Sequence, residues 1–370
     1  MFSLKFLYNT PLGAMITGRS KKERKDEVIV AESDPNLDLN PVLASYVRSI
    51  PRAQWYRNVL LQGYLVPPNV LYRLDSFEIR PDDVFIITYP KSGTTWTEEI
   101  VSLIYNDGNT NKVKDKLLIY RVHHLEVARP IGHWRFLRNL KSPRLMATHL
   151  PLPLIPTQLR QAKCKIIYVV RNPKDNAVSY YHHHRMSTFL GNYKGTWDDF
   201  LTYYMKGYMV YGSWFDHVLP YWKFAQEHPN KVLFISFEEL KMDLSGMVTH
   251  IANFLERPLK PEAIKAIANH CSFEQMKCNN MVNREVLPIS DIFDMSESKF
   301  MRKGIIGDWK NYFTQEQNEA FDKLYKEKME SSGLDLVFEP EDAYNRMNAY
   351  GRLIKPSPFI YQNGIKSQTT

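Results

Sequence analysis

The stretch that most constrains the fold is a short polar loop set between an apolar run and a segment with helical spacing. Residues 83–88 are mostly apolar and predict a buried strand, and residues 97–104 repeat apolar side chains at the period of a helix. The loop between them reads Tyr-Pro-Lys-Ser-Gly-Thr-Thr-Trp at residues 89–96. The start of a helix offers unpaired backbone N–H groups and a partial positive charge. The order strand, tight loop and helix therefore predicts an anion site at this loop.

The side chains of the loop favour the same interpretation. Gly93 lets the backbone come close to an anion, and Lys91, Ser92, Thr94 and Thr95 add hydrogen-bond donors. An ordinary strand-to-helix turn with an exposed lysine is the alternative, since Gly, Ser and Thr are common in turns. The lysine precedes the only glycine of the loop, whereas a Walker A loop begins with a glycine and has its lysine after a second one. The expected ligand is therefore an anion other than an ordinary nucleoside triphosphate.

A second strand, loop and helix pattern covers residues 169–181. It places Arg171 at the strand exit and Ser179 two helical turns later, so that both could face one anion. Asn172 and Pro173 also fit a well-capped helix that carries a surface arginine. Both interpretations predict a helix that begins at Pro173.

A third motif lies far along the chain at residues 300–311. It begins with Phe300, and its adjacent Arg302 and Lys303 could hold a phosphate by charge-assisted hydrogen bonds. Gly304 would let the backbone close over that phosphate. A basic surface turn is the alternative interpretation.

Strand and helix patterns alternate through the middle of the chain. Apolar runs at residues 145–148, 165–170 and 231–236 are continuous, as in strands that are buried on both faces. Segments with helical spacing occur at residues 173–185, 197–206, 211–226, 237–255 and 261–268. The alternation predicts an α/β fold, a single domain with a central parallel sheet flanked by helices. Ligands of such sheets bind beyond the carboxyl ends of the strands.

The two ends of the chain differ from this body. Residues 1–40 include a basic cluster and predict a flexible basic extension, although a mitochondrial transit peptide is a second interpretation. Residues 341–370 turn polar, with scattered Pro and Gly, and predict a loose tail. We therefore expect one main domain over residues 41–340.

Composition limits the classes of partner and the location. The net charge of +8 favours anionic partners, but no Arg- and Lys-rich arm for DNA is present, so we expect no nucleic acid. No run of ~18 apolar residues occurs, which predicts no membrane span. The three cysteines form no CxxC pair, and their odd number indicates a reducing, cytoplasmic location. The consecutive His182, His183 and His184 should point in different directions on a helix, so we expect no metal site.

Taken together, the three motifs resemble those of the cytosolic sulfotransferases, and the resemblance extends over residues 75–339. Residues 90–96 are similar to the loop that binds the 5′-phosphosulfate of 3′-phosphoadenylyl sulfate (PAPS) in that family. Residues 169–181 and 300–311 are similar to the segments that bind its 3′-phosphate. The resemblance implies an enzyme that transfers the sulfuryl group of PAPS, used as co-substrate without a metal, to a hydroxyl group of a small-molecule acceptor.

The resemblance also implies a role for each residue that matches a family motif. His149, in the segment Ala-Thr-His-Leu-Pro, matches the general base, and an imidazole with a reference pKa of ~6.5 suits that task. Lys91 would stabilise charge on the departing nucleotide, and Trp96 and Phe273 would enclose the adenine beside Tyr211, Ser272 and Met276. The implied cofactor-binding residues are Lys91, Ser92, Gly93, Thr94, Thr95, Trp96, Arg171, Ser179, Tyr211, Cys271, Ser272, Phe273, Met276, Phe300, Arg302, Lys303 and Gly304.

Two residues depart from the family pattern. Ala147 stands where many of these enzymes have a lysine two residues before the catalytic histidine, so one positive charge near the sulfuryl group is missing. Lys91 must then carry more of the stabilisation of the leaving group. Cys271 stands where threonine is usual, which we expect to matter less.

The stretches that match the family's acceptor pocket are residues 120–138, 185–193 and 282–298, and all three are rich in apolar side chains. This composition predicts an apolar acceptor with one nucleophilic group. Three other functions stay open: a kinase with an atypical loop, a non-catalytic nucleotide-binding protein of the same fold, and a PAPS-dependent dehydratase that acts through a sulfated alcohol. A kinase needs a metal-binding acid at a strand end, which the exits at Thr148 and Arg171 lack. The joint presence of Lys91 and His149 favours an enzyme over a binding protein.

The segment at residues 310–319 concerns assembly. Many cytosolic sulfotransferases dimerise through the pattern Lys-x-x-x-Thr-Val-x-x-x-Glu, and this chain keeps Lys310, Thr314 and Glu319 but has Gln315 in place of the valine. In a two-fold interface this residue lies near its symmetry mate, so one substitution acts twice. An amide there loses apolar burial and needs polar partners. We therefore expect a monomer or a weak homodimer.

Overall fold

The structure is a computed structural model, and it describes residues 41–128, 134–286 and 292–354. The predicted extension at residues 1–40 lies outside the described residues. The described strands are β1 (Ala53–Tyr56), β2 (Val59–Gln62), β3 (Val84–Thr88), β4 (His123–His124), β5 (Leu145–Thr148), β6 (Lys165–Val170) and β7 (Val232–Ser236). The described helices are α1 (Pro41–Ser49), α2 (Pro68–Leu71), α3 (Thr94–Ile104), α4 (Trp134–Asn139), α5 (Thr157–Arg160), α6 (Pro173–Met186), α7 (Trp197–Lys206), α8 (Trp214–Glu227), α9 (Phe237–Met242), α10 (Leu244–Phe254), α11 (Pro261–His270), α12 (Phe273–Cys278), α13 (Gln315–Met329) and α14 (Pro340–Tyr350).

Five of the strands form one parallel sheet in the order β4-β5-β3-β6-β7. Every residue of β3 is buried, because helices cover both faces of the sheet. The carboxyl ends of β5, β3 and β6 lie side by side, so the segments that follow them meet at one edge. The predicted α/β fold with a central parallel sheet is confirmed.

Alternate residues of the strands divide the core into two layers. Phe85 and Tyr168 pack on one face of the sheet with Tyr180 of α6 and Trp214 of α8. Ile86 and Ile167 pack on the other face with Val101, Val248 and Ile267 from α3, α10 and α11. Continuous apolar strands are thus explained by burial on both faces. Among the described residues, no helix is both long and apolar enough to cross a bilayer.

Several predicted boundaries shift because of local capping. Helix α3 begins at Thr94, three residues earlier than predicted, directly after Gly93 in the left-handed region at φ 111°. The helix predicted over 237–255 is two helices, because Asp243 leaves helical geometry and its side chain caps α10 at the Gly246 N–H. The helix predicted from Tyr211 begins at Trp214, after the cap Ser213. The β1–β2 hairpin was not predicted.

The beginning of the predicted polar tail is not loose. Helix α14 covers 340–350, and the residues after it return to the body, where Leu353 and Ile354 are buried. Both of their backbone N–H groups and the Arg352 guanidinium donate to Oε1 of the buried Glu239 in α9. A boundary at residue 340 therefore falls at the first residue of a packed helix, and residues 355–370 lie outside the described part of the chain.

Candidate active site

A cavity of about 310 Å³ opens at the carboxyl edge of the sheet. It is lined by side chains from the three motifs and from α12, together with an apolar wall from the connecting segments. The structure thus brings together most residues predicted from the sequence. Those that line the cavity are Lys91, Gly93, Thr94, Thr95, Trp96, His149, Arg171, Ser179, Tyr211, Phe273, Met276, Phe300, Arg302, Lys303 and Gly304.

Helix α6 holds the loop between β3 and α3 in shape. Lys91 and Gly93 both adopt left-handed backbone conformations, at φ 71° and 111°, which turn the chain sharply before the helix. Asn176 of α6 donates to the Pro90 carbonyl at 2.9 Å and to Ser92 Oγ at 3.0 Å. The Ser92 side chain is therefore buried beneath the loop and does not line the cavity, contrary to its predicted role as a direct contact.

Lys91 belongs to a group of mutually repelling cations in the cavity. Its Nζ lies 4.5 Å from the centroid of the Phe300 ring. Burial, and then the charges of Arg171, Arg302 and Arg284, lower the pKa of Lys91 to about 7. Such a concentration of positive charge is costly unless anions bind there. The cavity is therefore built for an anionic ligand.

Arg171 joins the second and third motifs to the first. Its guanidinium donates to the Lys91 carbonyl at 3.3 Å and to the Ile305 carbonyl at 3.2 Å. The Arg302 guanidinium is oriented by Asp308 at 2.6 Å, and Asp308 also pairs with Lys303. These contacts place three basic side chains at one end of the cavity, as expected for a phosphate site.

An aromatic wall stands beside this phosphate end. Trp96 lies 5.4 Å from Phe237, ring centroid to centroid, and its Nε1 donates to the Cys271 carbonyl at 2.8 Å. Gly304 has φ 61°, and a Cβ atom there would collide with the Phe273 ring. Phe237 was not predicted for this wall, although it follows the β7 strand directly.

Three residues that were predicted for the adenine side lie away from the aromatic wall or behind it. Cys271 is fully buried and contributes its backbone carbonyl to Trp96, so its thiol does not line the cavity. Ser272 stands at the N-cap position of α12, where its side chain makes no capping hydrogen bond, and it is also absent from the lining. The Tyr211 ring lies 5.5 Å from the His149 ring, because its backbone N–H is bound to the Leu60 carbonyl of the hairpin. The Tyr211 ring therefore faces the catalytic candidate.

His149 is fixed in one tautomer at the end of β5. Its Nδ1 lies 2.9 Å from the Thr88 carbonyl, which can only accept, so Nδ1 carries the proton and Nε2 keeps its lone pair. No described residue hydrogen-bonds to Nε2. Glu126 accepts from the His149 backbone N–H at 2.9 Å and holds the segment in place. Burial first, and then the charge of His124, lower the pKa of His149 to about 3, so the ring is a neutral proton acceptor at pH 7.

A cluster of ionisable side chains next to His149 was missed by sequence reasoning. Glu98 of α3 accepts from His124 Nε2 at 2.8 Å, and Arg284 NH2 lies 3.8 Å from its other oxygen. The His124 ring is 5.2 Å from the His149 ring. Only one signal pointed to it, the acidic pair Glu98 and Glu99 inside an otherwise apolar helix.

The three consecutive histidines diverge as expected. His182 Nε2 meets the Tyr312 hydroxyl at 2.6 Å, whereas His184 is buried against Tyr46. His183 lies between them and lines the cavity. Among the described residues, no group of three or more His, Cys, Asp or Glu side chains is arranged to hold a metal ion.

Comparison with known proteins agrees with the motifs. A model of the sulfotransferase domain matches residues 81–333. Mouse sulfotransferase 1B1 is 44% identical over 73% of this chain and 90% of the mouse protein. Human sulfotransferase 1C2 is 39% identical over 75% of this chain and 95% of the human protein.

Solved structures give the same result. Mouse sulfotransferase SULT7A1 complexed with PAP superposes with a TM-score of 0.63 at 36% identity, over 76% of this chain and 96% of that one. Retinol dehydratase in a complex with retinol and PAP superposes with a TM-score of 0.72 at 27% identity, over 83% and 98%. The resemblance recognised from the three motifs is confirmed, and the chain belongs to the sulfotransferase family.

Proposed function

We propose that this protein transfers the sulfuryl group of PAPS to a hydroxyl group, of an alcohol or a phenol, on a small and largely apolar acceptor. The observation that carries the proposal is His149, whose Nε2 lone pair is held ready in the same cavity as the cationic Lys91. Structural neighbours solved with PAP support the nucleotide. PAP, 3′-phosphoadenosine 5′-phosphate, is what PAPS becomes when its sulfuryl group leaves.

The residues of the cavity fit PAPS at both of its charged ends. The loop that carries Lys91 would hold the 5′-phosphosulfate with its backbone N–H groups and side-chain donors. The aromatic wall of Trp96, Phe237 and Phe273 suits a purine. When bound, PAPS supplies an activated sulfuryl group. We assign the 3′-phosphate to the hydroxyl of Ser179 in α6 and to the three side chains of the basic end, Arg171, Arg302 and Lys303.

Two residues would perform the chemistry. Nε2 of His149 would take the proton of the acceptor hydroxyl as its oxygen attacks, while the Thr88 carbonyl keeps the ring oriented and accepts from Nδ1–H. Lys91 would stabilise the negative charge that develops on the departing nucleotide. Ala147 is fully buried and does not line the cavity, so the charge at Lys91 matters more here.

The rest of the cavity favours an acceptor with an apolar body. Its wall is formed by Val122, Leu137, Phe189 and Phe293, among others. Apolar walls of this kind bind small molecules mainly by burial. Two structural neighbours were solved with androsterone and with retinol, which are small molecules too.

The nucleotide assignment is tested by calorimetry with PAP and AMP. We expect PAP to bind far more tightly, because AMP lacks the 3′-phosphate. Arg302→Ala should weaken PAP binding by roughly ten- to a hundredfold, the effect of one charge-assisted contact, and leave AMP binding unchanged. Lys310→Ala, at an exposed lysine outside the cavity, is the control. Equal affinity for PAP and AMP would refute the assignment.

A dehydratase that acts through a sulfated alcohol is a second candidate, since retinol dehydratase is among the structural neighbours. The two functions share the nucleotide site and differ in the product. Incubation of PAPS with allylic and phenolic alcohols, followed by mass spectrometry, separates them. A gain of SO₃ indicates transfer, and a loss of water indicates elimination.

A further inference from the structure

The cluster of Glu98, His124 and Arg284 has no part in the reaction as described above. Arg284 and His124 line the cavity, and the Glu98 carboxylate lies between them with 2% of its side chain exposed. Charged side chains are rarely kept in such surroundings without a partner or a function. The cluster therefore calls for a ligand group that the nucleotide does not provide.

Arg284 is the member with unused hydrogen-bonding capacity. Its NH2 is 3.8 Å from Glu98 Oε2, which is an ion-pair distance but beyond a hydrogen bond. Its Nε is buried without a partner, and no described residue accepts from any of its five N–H groups. The backbone at Arg284 is left-handed, at φ 68°, which is uncommon for a residue other than glycine.

Glu98 lies between two basic side chains, His124 and Arg284. Glu98 accepts from His124 at 2.8 Å, and although burial lowers the pKa of His124, the Glu98 carboxylate outweighs burial and raises it. The centroid of the Phe300 ring is 5.6 Å from the Arg284 guanidinium and 4.5 Å from Lys91 Nζ, so the cluster adjoins the lysine of the first motif.

We propose that the acceptor carries a carboxylate, which the planar guanidinium of Arg284 binds through two parallel hydrogen bonds. This rests on the proposed function, because it names the acceptor class of the same site. The contacts run from His149 through His124 and Glu98 to Arg284, so the acceptor's hydroxyl would lie at His149 and its acid group at Arg284. The apolar wall would enclose the hydrocarbon body between them. The acceptor is then an apolar hydroxy acid.

The test uses pairs of acceptors that differ only in charge. Hydroxyphenyl alkanoic acids with one to four methylene groups, and the methyl ester of each, are assayed with labelled PAPS. For at least one chain length we expect kcat/KM of the acid to exceed that of its ester by roughly tenfold or more. Arg284→Leu should remove or reverse this preference, mainly through KM of the acid, and Arg284→Lys should keep part of it.

Two controls keep the result decisive. Arg57→Leu removes an exposed arginine outside the cavity and should leave the ratio of acid to ester unchanged. PAP affinity reports on the nucleotide site in every variant. If Arg284→Leu does not fold, the ratio in the wild type and in Arg284→Lys still decides the matter.

The outcomes separate this inference from the proposed function. A wild-type protein that binds PAP and sulfates the esters as well as the acids refutes the inference alone. An equal loss of rate with the acid and with its ester in Arg284→Leu also refutes the inference. That result would indicate that the guanidinium contacts the transferred sulfuryl group. A wild-type protein that does not bind PAP refutes the proposed function.

Discussion

The proposed role of His149 as a base depends on one carbonyl group. Because the Thr88 carbonyl accepts from Nδ1, the second ring nitrogen is the one that can take a proton. His149→Ala should therefore lower turnover by ~10²–10⁴-fold and leave PAP affinity unchanged. Steady-state assays with labelled PAPS and calorimetry with PAP measure the two effects. His228→Ala, at the end of α8 and outside the cavity, is the control, and a variant of His149 that keeps more than a few per cent of the rate would contradict the assignment.

We expect Lys91 to make nucleotide binding depend on pH. Its pKa is lowered to about 7 by burial and by neighbouring cations, and a bound anion would raise it again. The nucleotide therefore binds best to the protonated lysine, so PAP affinity should fall as pH rises above 7 towards the pKa of the complex. Calorimetry at pH 7, 8 and 9 should show proton uptake on binding that is larger at pH 8 than at pH 7.

The matched variant for this effect is Lys91→Arg. A guanidinium stays protonated throughout this range, so the dependence on pH should disappear while binding persists. His149 does not contribute, since its pKa of about 3 lies far below the range. A PAP affinity that is constant from pH 7 to 9 in the wild type would contradict the role of Lys91.

At the scale of elements, the C-terminal segment supports the nucleotide site. Glu239 of α9 accepts from Arg352 and from the two backbone N–H groups after it, and the first residue of the same helix, Phe237, lies against Trp96. A chain that ends at residue 340 leaves this buried carboxylate short of partners. It also removes the buried side chains of Leu353 and Ile354 from the core. We expect its melting temperature to fall by roughly 3–10 °C and its PAP affinity to fall as well.

A chain that ends at residue 354 is the control for this truncation. It keeps every described contact to Glu239 and should melt close to the full-length protein. Arg352→Ala should show an intermediate loss. Equal melting temperatures for the chains that end at 340 and at 354 would show that the segment contributes nothing.

The sheet and the cofactor loops could be predicted because each is encoded locally. Strands buried on both faces are continuous apolar runs, and the loop at residues 89–96 carries its own helix start. The break at Asp243 was missed because its cap is formed by a single side chain inside an apolar pattern. The Glu98, His124 and Arg284 cluster was missed because its members come from three segments that are distant in sequence and meet only in the folded protein. Ser92 and Cys271 lie within the family motifs, but their side chains do not line the cavity. Ser92 Oγ accepts from Asn176, and the Cys271 carbonyl accepts from Trp96.

At the scale of the whole molecule, assembly is still a prediction. Gln315 is exposed at the start of α13, and its amide donates to Glu319 at 2.9 Å. An apolar two-fold contact there would have to bury this polar pair. We expect a monomer or a weak homodimer in sedimentation at micromolar protein, and Gln315→Val should favour the dimer. A stable dimer that Gln315→Val does not strengthen would contradict this interpretation. The cytoplasmic location inferred from the cysteines is likewise still a prediction.

The parallel sheet has a consequence for how this enzyme could diversify. Lys91, His149 and Arg171 follow three adjacent strands, so their mutual positions are set by the hydrogen-bond register of the core. The apolar wall to which we assign the acceptor comes instead from connecting segments, including the one that carries Arg284. Substitutions in those segments can change which molecule enters without disturbing the groups that react. Natural selection can thus alter the choice of acceptor while the transfer machinery is inherited intact.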